Sequence, residues 1–289
     1  MLFDFKEISE IFTNSLGKNA DEINALGGMT NSNFLITSNG EKFVLRVPGN
    51  RSNQIIKRDD EKLNQTIASN FGFNVKTAFF DEVSGIKITE FLSNAITLKP
   101  ATLRQNSEKI AKILSKIHSS KMEFKNDFNP FLQMKIYLNL VSNETALKFN
   151  GFLTALEIFN DLEQKLTKIN QKFYSKNTIL VPTHGDLVPE NILMCDERIF
   201  IIDWEYSGLN DPAWDVASLF VESDFSNDEE ERFLGLYGAD LGLKSKIEIY
   251  KSVQDILWTA WSLVKISNGD ESYTNYAKKR LKSALERVL

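Results

Sequence analysis

Three residues in one stretch of the chain carry the groups needed to hold a metal and a phosphate. Asp186 and Asn191 stand five residues apart in a polar loop, entered by the apolar run from Ile179 and left by Ile192 and Leu193. A short turn at Cys195–Arg198 follows, and the strand-like Ile199–Ile202 delivers a further acid, Asp203. Such groups are costly in an apolar setting unless a partner satisfies them. A divalent cation with phosphate is the obvious partner, because Mg2+ takes oxygen ligands, usually one or two carboxylates plus substrate phosphates. Asn191 and Asp203 would hold that metal, leaving Asp186 to orient a hydroxyl. Taken singly, each residue also suits a turn cap; it is their order and spacing that point to chemistry.

His184-Gly-Asp186 with Asn191, then Ile202-Asp203-Trp204-Glu205, resembles the catalytic loop and metal segment of kinase-like phosphotransferases that act on small molecules. In that template a loop Asp is the base, an Asn further along binds metal, and a second metal Asp follows the next strands. Upstream, Gly27-Gly28-Met29-Thr30-Asn31-Ser32 precedes a strand. It reads either as an ordinary hairpin or as a turn whose backbone N–H groups approach an anion closely. Asn39-Gly40 marks a hairpin, and the return strand carries Arg46 where the kinase template puts its phosphate-pairing lysine. Leu45 and Val47 set Arg46 on the face opposite theirs.

The elements that must position these residues follow from patterning. A first helix is expected over 4–16 and a second over 53–70, with Ile55, Ile56, Leu63 and Ile67 as its buried stripe. Glu61 on that second helix is the candidate partner of Arg46, the plainer reading being a solvated glutamate. Strands around 76–80 and 86–90 end near Leu92, where backbone groups of Glu90 and Leu92 could bond an adenine edge. From about Ala101 the pattern is helical: one helix ends at His118, read as a packing residue, and two more span 131–150 and 151–173. Asp215, in a helix opened by Asp211-Pro212, either caps that helix or braces the catalytic loop, and bracing is favoured by the kinase resemblance. The acidic run from Glu222 to Glu231 is a solvated helix start or a field that draws a cationic substrate. Trp258 and Trp261 stand three apart on one helix face. Spacing alone leaves open a core pair or an aromatic cage for a quaternary ammonium, at roughly 0.5–2 kcal/mol per contact.

Together, Gly27-Gly28-Met29-Thr30-Asn31, Val44-Leu45-Arg46, the His184-Gly-Asp186 loop, Ile202-Asp203-Trp204-Glu205-Tyr206-Ser207 and Trp258-x-x-Trp261-Ser262 with Tyr276-Ala277 resemble the choline/ethanolamine kinase family. The resemblance runs over about residues 26–282. It implies an α+β, bilobal protein-kinase-like fold: a small antiparallel-sheet nucleotide lobe over 1–92 and a mainly helical catalytic and substrate lobe over 93–289. The implied reaction is ATP-dependent phosphorylation of the choline hydroxyl. Asp186 would be the base, and Asn191 and Asp203 would bind Mg2+, with Glu205 close to metal and substrate. Arg46 and the N–H groups of residues 28–32 would hold phosphates, while Trp258, Trp261 and Tyr276 enclose the trimethylammonium. The missing N-terminal extension of the eukaryotic enzymes suggests the bacterial branch. One departure stands out: His184-Gly-Asp186-Leu187-Val188-Pro189 is closer to aminoglycoside phosphotransferases. Ethanolamine, thiamine or an aminoglycoside is therefore the alternative acceptor, and a pseudokinase without turnover the alternative outside enzymes.

Composition narrows the classes further. The formal net charge of -5 offers no electrostatic footprint for nucleic acid. No stretch of 18 apolar residues suggests membrane insertion, and no leader pattern is visible, so a cytoplasmic protein is expected. A single cysteine, Cys195, rules out an internal disulfide and a cysteine zinc site.

Overall fold

The computed structural model describes residues 4–28, 30–49, 51–174 and 179–287. Met29 of the glycine-rich turn lies outside them. The chain divides into two compact units, Met1–Leu98 with Met122–Phe124 and Glu190–Ser207, and Lys99–Lys121 with Lys125–Pro189 and Gly208–Leu289.

The first unit opens with α1 (Phe5–Leu16), begun by Asp4, whose side chain accepts from the Lys6 N–H at 3.2 Å. Then come β1 (Glu22–Leu26), β2 (Ser32–Ser38), β3 (Glu41–Val47), α2 (Arg58–Asn70), β4 (Thr77–Phe80) and β5 (Lys87–Glu90). Among the described residues these strands form one antiparallel sheet in the order β1-β2-β3-β5-β4. Ser38 pairs with Glu41, so β2 and β3 are joined by Asn39-Gly40 alone, with φ of 49° and 79°. Two consecutive positive φ values define the hairpin turn that matches strand twist.

Alternation along β2 and β3 puts Phe34, Ile36, Phe43, Leu45 and Val47 on one face, packed with Ile88 against Ile8 and Phe12 of α1. Each such buried side chain is worth about 1.5–3 kcal/mol. Arg46 takes the other face, and the β3–β5 register sets Lys87 directly opposite it. The second helix begins at Arg58, later than the expected 53. A 3-10 turn at Ser52–Gln54 precedes it, after Arg51 in the left-handed region, and Lys57 is extended. Beyond the sheet, β6 (Ala95–Thr97) pairs with the strand Ile192–Cys195, which folds back on Arg198–Ile201. This hairpin has Asn191 at its entry and Asp203 just past its exit.

The second unit is mainly helical: α3 (Pro100–Gln105), α4 (Ser107–His118), α5 (Pro130–Leu140), α6 (Asn143–Lys148), α7 (Phe152–Phe173), α8 (Pro212–Glu222), α9 (Asn227–Tyr237), α10 (Leu241–Ser267) and α11 (Thr274–Glu286). The single helix expected over 131–150 is two. Ser142 is extended there, and its hydroxyl accepts from the Thr145 N–H at 3.1 Å to start α6. The core of the unit lies around α10, which is buried on nearly every side from Tyr250 to Val264, as a central helix must be. No helix among the described residues is long and apolar enough to cross a membrane.

Candidate active site

In the first unit three cations and three carboxylates meet. Arg46 reaches Glu61 at 2.7 Å, Asp203 at 2.5 Å and Glu205 at 3.3 Å. Arg58 bonds Glu61 at 2.5 Å and Glu205 at 3.2 Å, and the Ser52 hydroxyl accepts from it at 2.7 Å. Lys87 lies 3.2 Å from Glu61 and 3.4 Å from Asp203. Arg46 and Lys87 are like charges directly across a ladder, an arrangement that repels, and Glu61 between them relieves it. Burial alone would lower the Arg46 pKa, but Glu61, Asp203 and Glu205 outweigh it and raise it above its ordinary value. Burial likewise pushes the Glu61 carboxyl up, and Arg46 and Lys87 reverse this, leaving it below the usual range. For Glu205, burial and then Asp203 prevail over Arg46, and its carboxyl is raised.

The backbone explains how Asp203 comes to this cluster. Its φ is 66°, a left-handed conformation that costs a non-glycine residue energy and that Asp tolerates better than most. The Ile202 N–H donates to the Asn191 carbonyl at 2.9 Å, tying the two ends of the hairpin. Trp204 is fully buried, with its indole N–H on the Ile201 carbonyl at 2.8 Å. Asn64 of α2 holds Ser207 through the carbonyl at 3.2 Å and the hydroxyl at 3.0 Å.

Glu61, Asp203 and Glu205 each offer a carboxylate oxygen, all within 4.8 Å of one another. Hard oxygen donors of this kind fit Mg2+. Of the three, the Asp203 side chain is the accessible one, 26% exposed against 0% for Glu61 and 8% for Glu205.

The glycine-rich turn is tight. A Cβ on Gly28 would lie 2.2 Å from the Asn31 carbonyl oxygen, so only glycine fits. Asn31 accepts from the Gly49 N–H at 3.3 Å, and Asn33 donates to the Gly27 carbonyl at 3.0 Å. Thr30 and Ser32 are half-buried, and Ser32 starts β2. At the end of the sheet, the Glu90 N–H donates to the Lys76 carbonyl at 2.9 Å, and the Leu92 carbonyl accepts from the Ala95 N–H at 3.0 Å. Those two groups are therefore engaged within the chain, which narrows the adenine edge expected of Glu90 and Leu92.

In the second unit the loop carrying Asp186 is held by α8. Asp215, fully buried, accepts from the His184 N–H at 2.8 Å and the Gly185 N–H at 2.9 Å. It braces the loop, while Asp211 caps α8 by accepting from the Ala213 N–H at 3.0 Å. His118 bridges Asp215 at 3.1 Å and the Tyr237 hydroxyl at 2.7 Å. Asp186 itself is half-buried.

The tryptophans of α10 belong to an aromatic cluster. Trp258 meets Trp261 edge to face at 6.1 Å, and Trp261 meets Tyr273 at 5.1 Å and Tyr276 at 6.4 Å. Trp258 and Trp261 are buried and Tyr276 half-buried. The Tyr276 hydroxyl donates to Glu222 at 3.4 Å, and the Arg280 guanidinium stacks 5.0 Å from the Tyr276 ring centre. Arg280 also pairs with Glu222 and, at 2.9 Å, with Asp255. Burial, then the charges of Asp186 and Asp255, push the Tyr276 phenol up. Burial brings Arg280 down to about 10, against the pull of Asp186. Asp186 thus acts electrostatically on this cluster. Sequence patterning does not single out Arg58, Lys87 or Asp255, and it makes Lys278-Lys279-Arg280 a solvated helix face; the structure instead buries Arg280 and pairs it with Glu222 and Asp255.

Among solved structures, the choline kinase LicA from Streptococcus pneumoniae matches with a TM-score of 0.87 and 33% identity, over 98% of this chain and 97% of that one. A structure of LicA in complex with AMP matches at 0.84 and 32% identity, over 98% of each chain. Protein LicA of Haemophilus influenzae is 35% identical over 274 residues, covering 89% of this chain and 98% of its own length. Fold and residue order together define a kinase-like phosphotransferase with an alcohol group as acceptor. The choline/ethanolamine kinase description matches residues 23–236, and the chain belongs to that family.

Proposed function

We propose that this protein transfers the γ-phosphoryl group of ATP to the hydroxyl of choline, giving phosphocholine. The observation that carries the choice of acceptor is the aromatic cluster of Trp258, Trp261, Tyr273 and Tyr276, of which Tyr276 feels the charge of Asp186. Quaternary ammonium binds over indole and phenol faces, and an alcohol anchored there would offer its hydroxyl to that carboxylate. Asp186 orients the hydroxyl and accepts its proton as the oxygen attacks. Arg46, held by Glu61, and the N–H groups of residues 28–32 bind the phosphates; likeness to LicA, solved with AMP, supports nucleotide use.

Asn191 and Asp203 would hold Mg2+, with Glu205 near it. Bound there, the ion would neutralise charge building on the phosphates. The transition state of this reaction is loose, so positioning and electrostatics supply the rate enhancement. A reaction that consumes ATP suits the cytoplasm. Ethanolamine is the second reading: the Glu222 carboxylate, shared by the Tyr276 hydroxyl and Arg280, borders the cluster, and a primary ammonium prefers a carboxylate to a ring face.

The test is ATP consumption by the purified protein with Mg2+ and choline, ethanolamine, thiamine, kanamycin or no acceptor. Consumption driven by choline above the rest supports the reading. A win for ethanolamine moves the assignment to the second reading, and a win for thiamine or kanamycin removes the aromatic-cage argument.

A further inference from the structure

The peptide ahead of Asp186 is gripped at both ends by consecutive residues of α8. The Gly185 N–H goes to Asp215, and the Gly185 carbonyl accepts from the Trp214 indole N–H at 2.9 Å. Trp214 is in turn held by α10. Its backbone carbonyl accepts from the Gln254 side-chain amide at 2.7 Å, and its ring meets Tyr250 edge to face at 5.7 Å. Lys246, 2.7 Å from the α8 cap Asp211, is part of the same grip. Lys246, Tyr250, Gln254 and Trp258 recur every four residues and so lie along one stripe of α10. Three of them hold the start of α8, and the fourth belongs to the aromatic cluster.

Gln254 is fully buried, and its carbonyl oxygen has no partner among the described residues. An orphaned buried carbonyl is destabilising, because its lost hydration is not replaced. A methionine would fill the same space without that cost, so packing alone does not explain a glutamine here. What glutamine adds is the donor to Trp214.

We propose that Trp214 and Gln254 are positioning residues that keep the Asp186 peptide in register with the aromatic acceptor site, a role that rests on Asp186 being the base. Neither touches the reacting atoms. Their effect falls on the orientation of the Gly185–Asp186 peptide, and small misplacements near the chemistry are costly in rate.

The test uses the full chain carrying Trp214→Phe, Gln254→Met and both together, with kcat and KM for choline measured at saturating ATP and nucleotide binding as the folding control. The expected result is a kcat about tenfold lower in each single variant with the choline KM within about twofold, as lost orientation rather than lost binding requires. The double variant should be no slower than the worse single one, because both act through one contact chain. A kcat near wild type in either folded variant overturns the proposal. So does a rise in KM at unchanged kcat, or a double variant slower by the product of the two effects. If Trp214→Phe does not fold, the split between kcat and KM in Gln254→Met decides alone. Asp186→Ala is assayed alongside. Turnover surviving there refutes the base assignment itself, whereas its loss with both positioning variants at full speed refutes only this inference.

Discussion

Glu61→Gln is the sharpest probe of the first unit. The Glu61 side chain is fully enclosed, with one oxygen 2.7 Å from Arg46 and 3.2 Å from Lys87, and the other 2.5 Å from Arg58. All three cations are nearly buried as well. The substitution keeps shape and removes one negative charge, leaving three cations against Asp203 and Glu205. Breaking a buried pair from one side costs about 3–5 kcal/mol; glutamine keeps one acceptor, so a loss of about 3 kcal/mol is expected, at the low end of that range. Urea denaturation of both proteins at pH 7 measures it. The pH dependence gives a second handle. Because the folded carboxyl is held below its ordinary value of 4.5, its stabilisation is complete above that value and fades as pH falls through the lower folded pKa. The gap between wild type and variant should therefore close as pH falls below 4.5. A loss under about 1 kcal/mol, the worth of an exposed pair, would refute the picture of Glu61 as the shared counter-ion.

Three further outcomes follow from the geometry. Trp258→Ala should raise the choline KM by up to about thirtyfold, the equivalent of one strong cation–π contact, and the ethanolamine KM far less; equal effects on both would return the tryptophans to a packing role. Gly28→Ala should weaken nucleotide binding, read by calorimetry, since its Cβ would strike the Asn31 carbonyl at 2.2 Å; unchanged affinity would detach that turn from the phosphates. Chelation with EDTA should abolish turnover and added Mg2+ restore it, and turnover in EDTA would remove the metal role from Asn191 and Asp203.

Local signals carried much of the architecture. Asn39-Gly40 marks the β2–β3 hairpin, and the alternation of Phe43, Leu45 and Val47 puts Arg46 on the opposite face. The order Asp186, Asn191, Asp203 locates the loop and the hairpin that follows it. Lys87 was hidden because its role depends on β3–β5 register, a pairing across some forty residues that no local pattern encodes. Arg58 was hidden for a related reason: on a helix start flanked by Asp59 and Asp60 it reads as surface charge until Glu205, far along the chain, reaches it. The break at Ser142 shows the limit of periodicity, because the apolar spacing runs across a residue whose hydroxyl starts a new helix. Arg280, Asp255 and Glu222 sit on three helices, and burial makes them partners; exposed, the same residues would be ordinary solvated charge.

The most direct test of the central claim is product identification by 31P NMR, with purified protein, ATP, Mg2+ and choline, beside the Asp186→Ala variant. The account predicts a phosphocholine resonance that grows with wild type and is absent with the variant, while the variant still binds ATP. No phosphocholine from wild type, or its formation by Asp186→Ala, would contradict it.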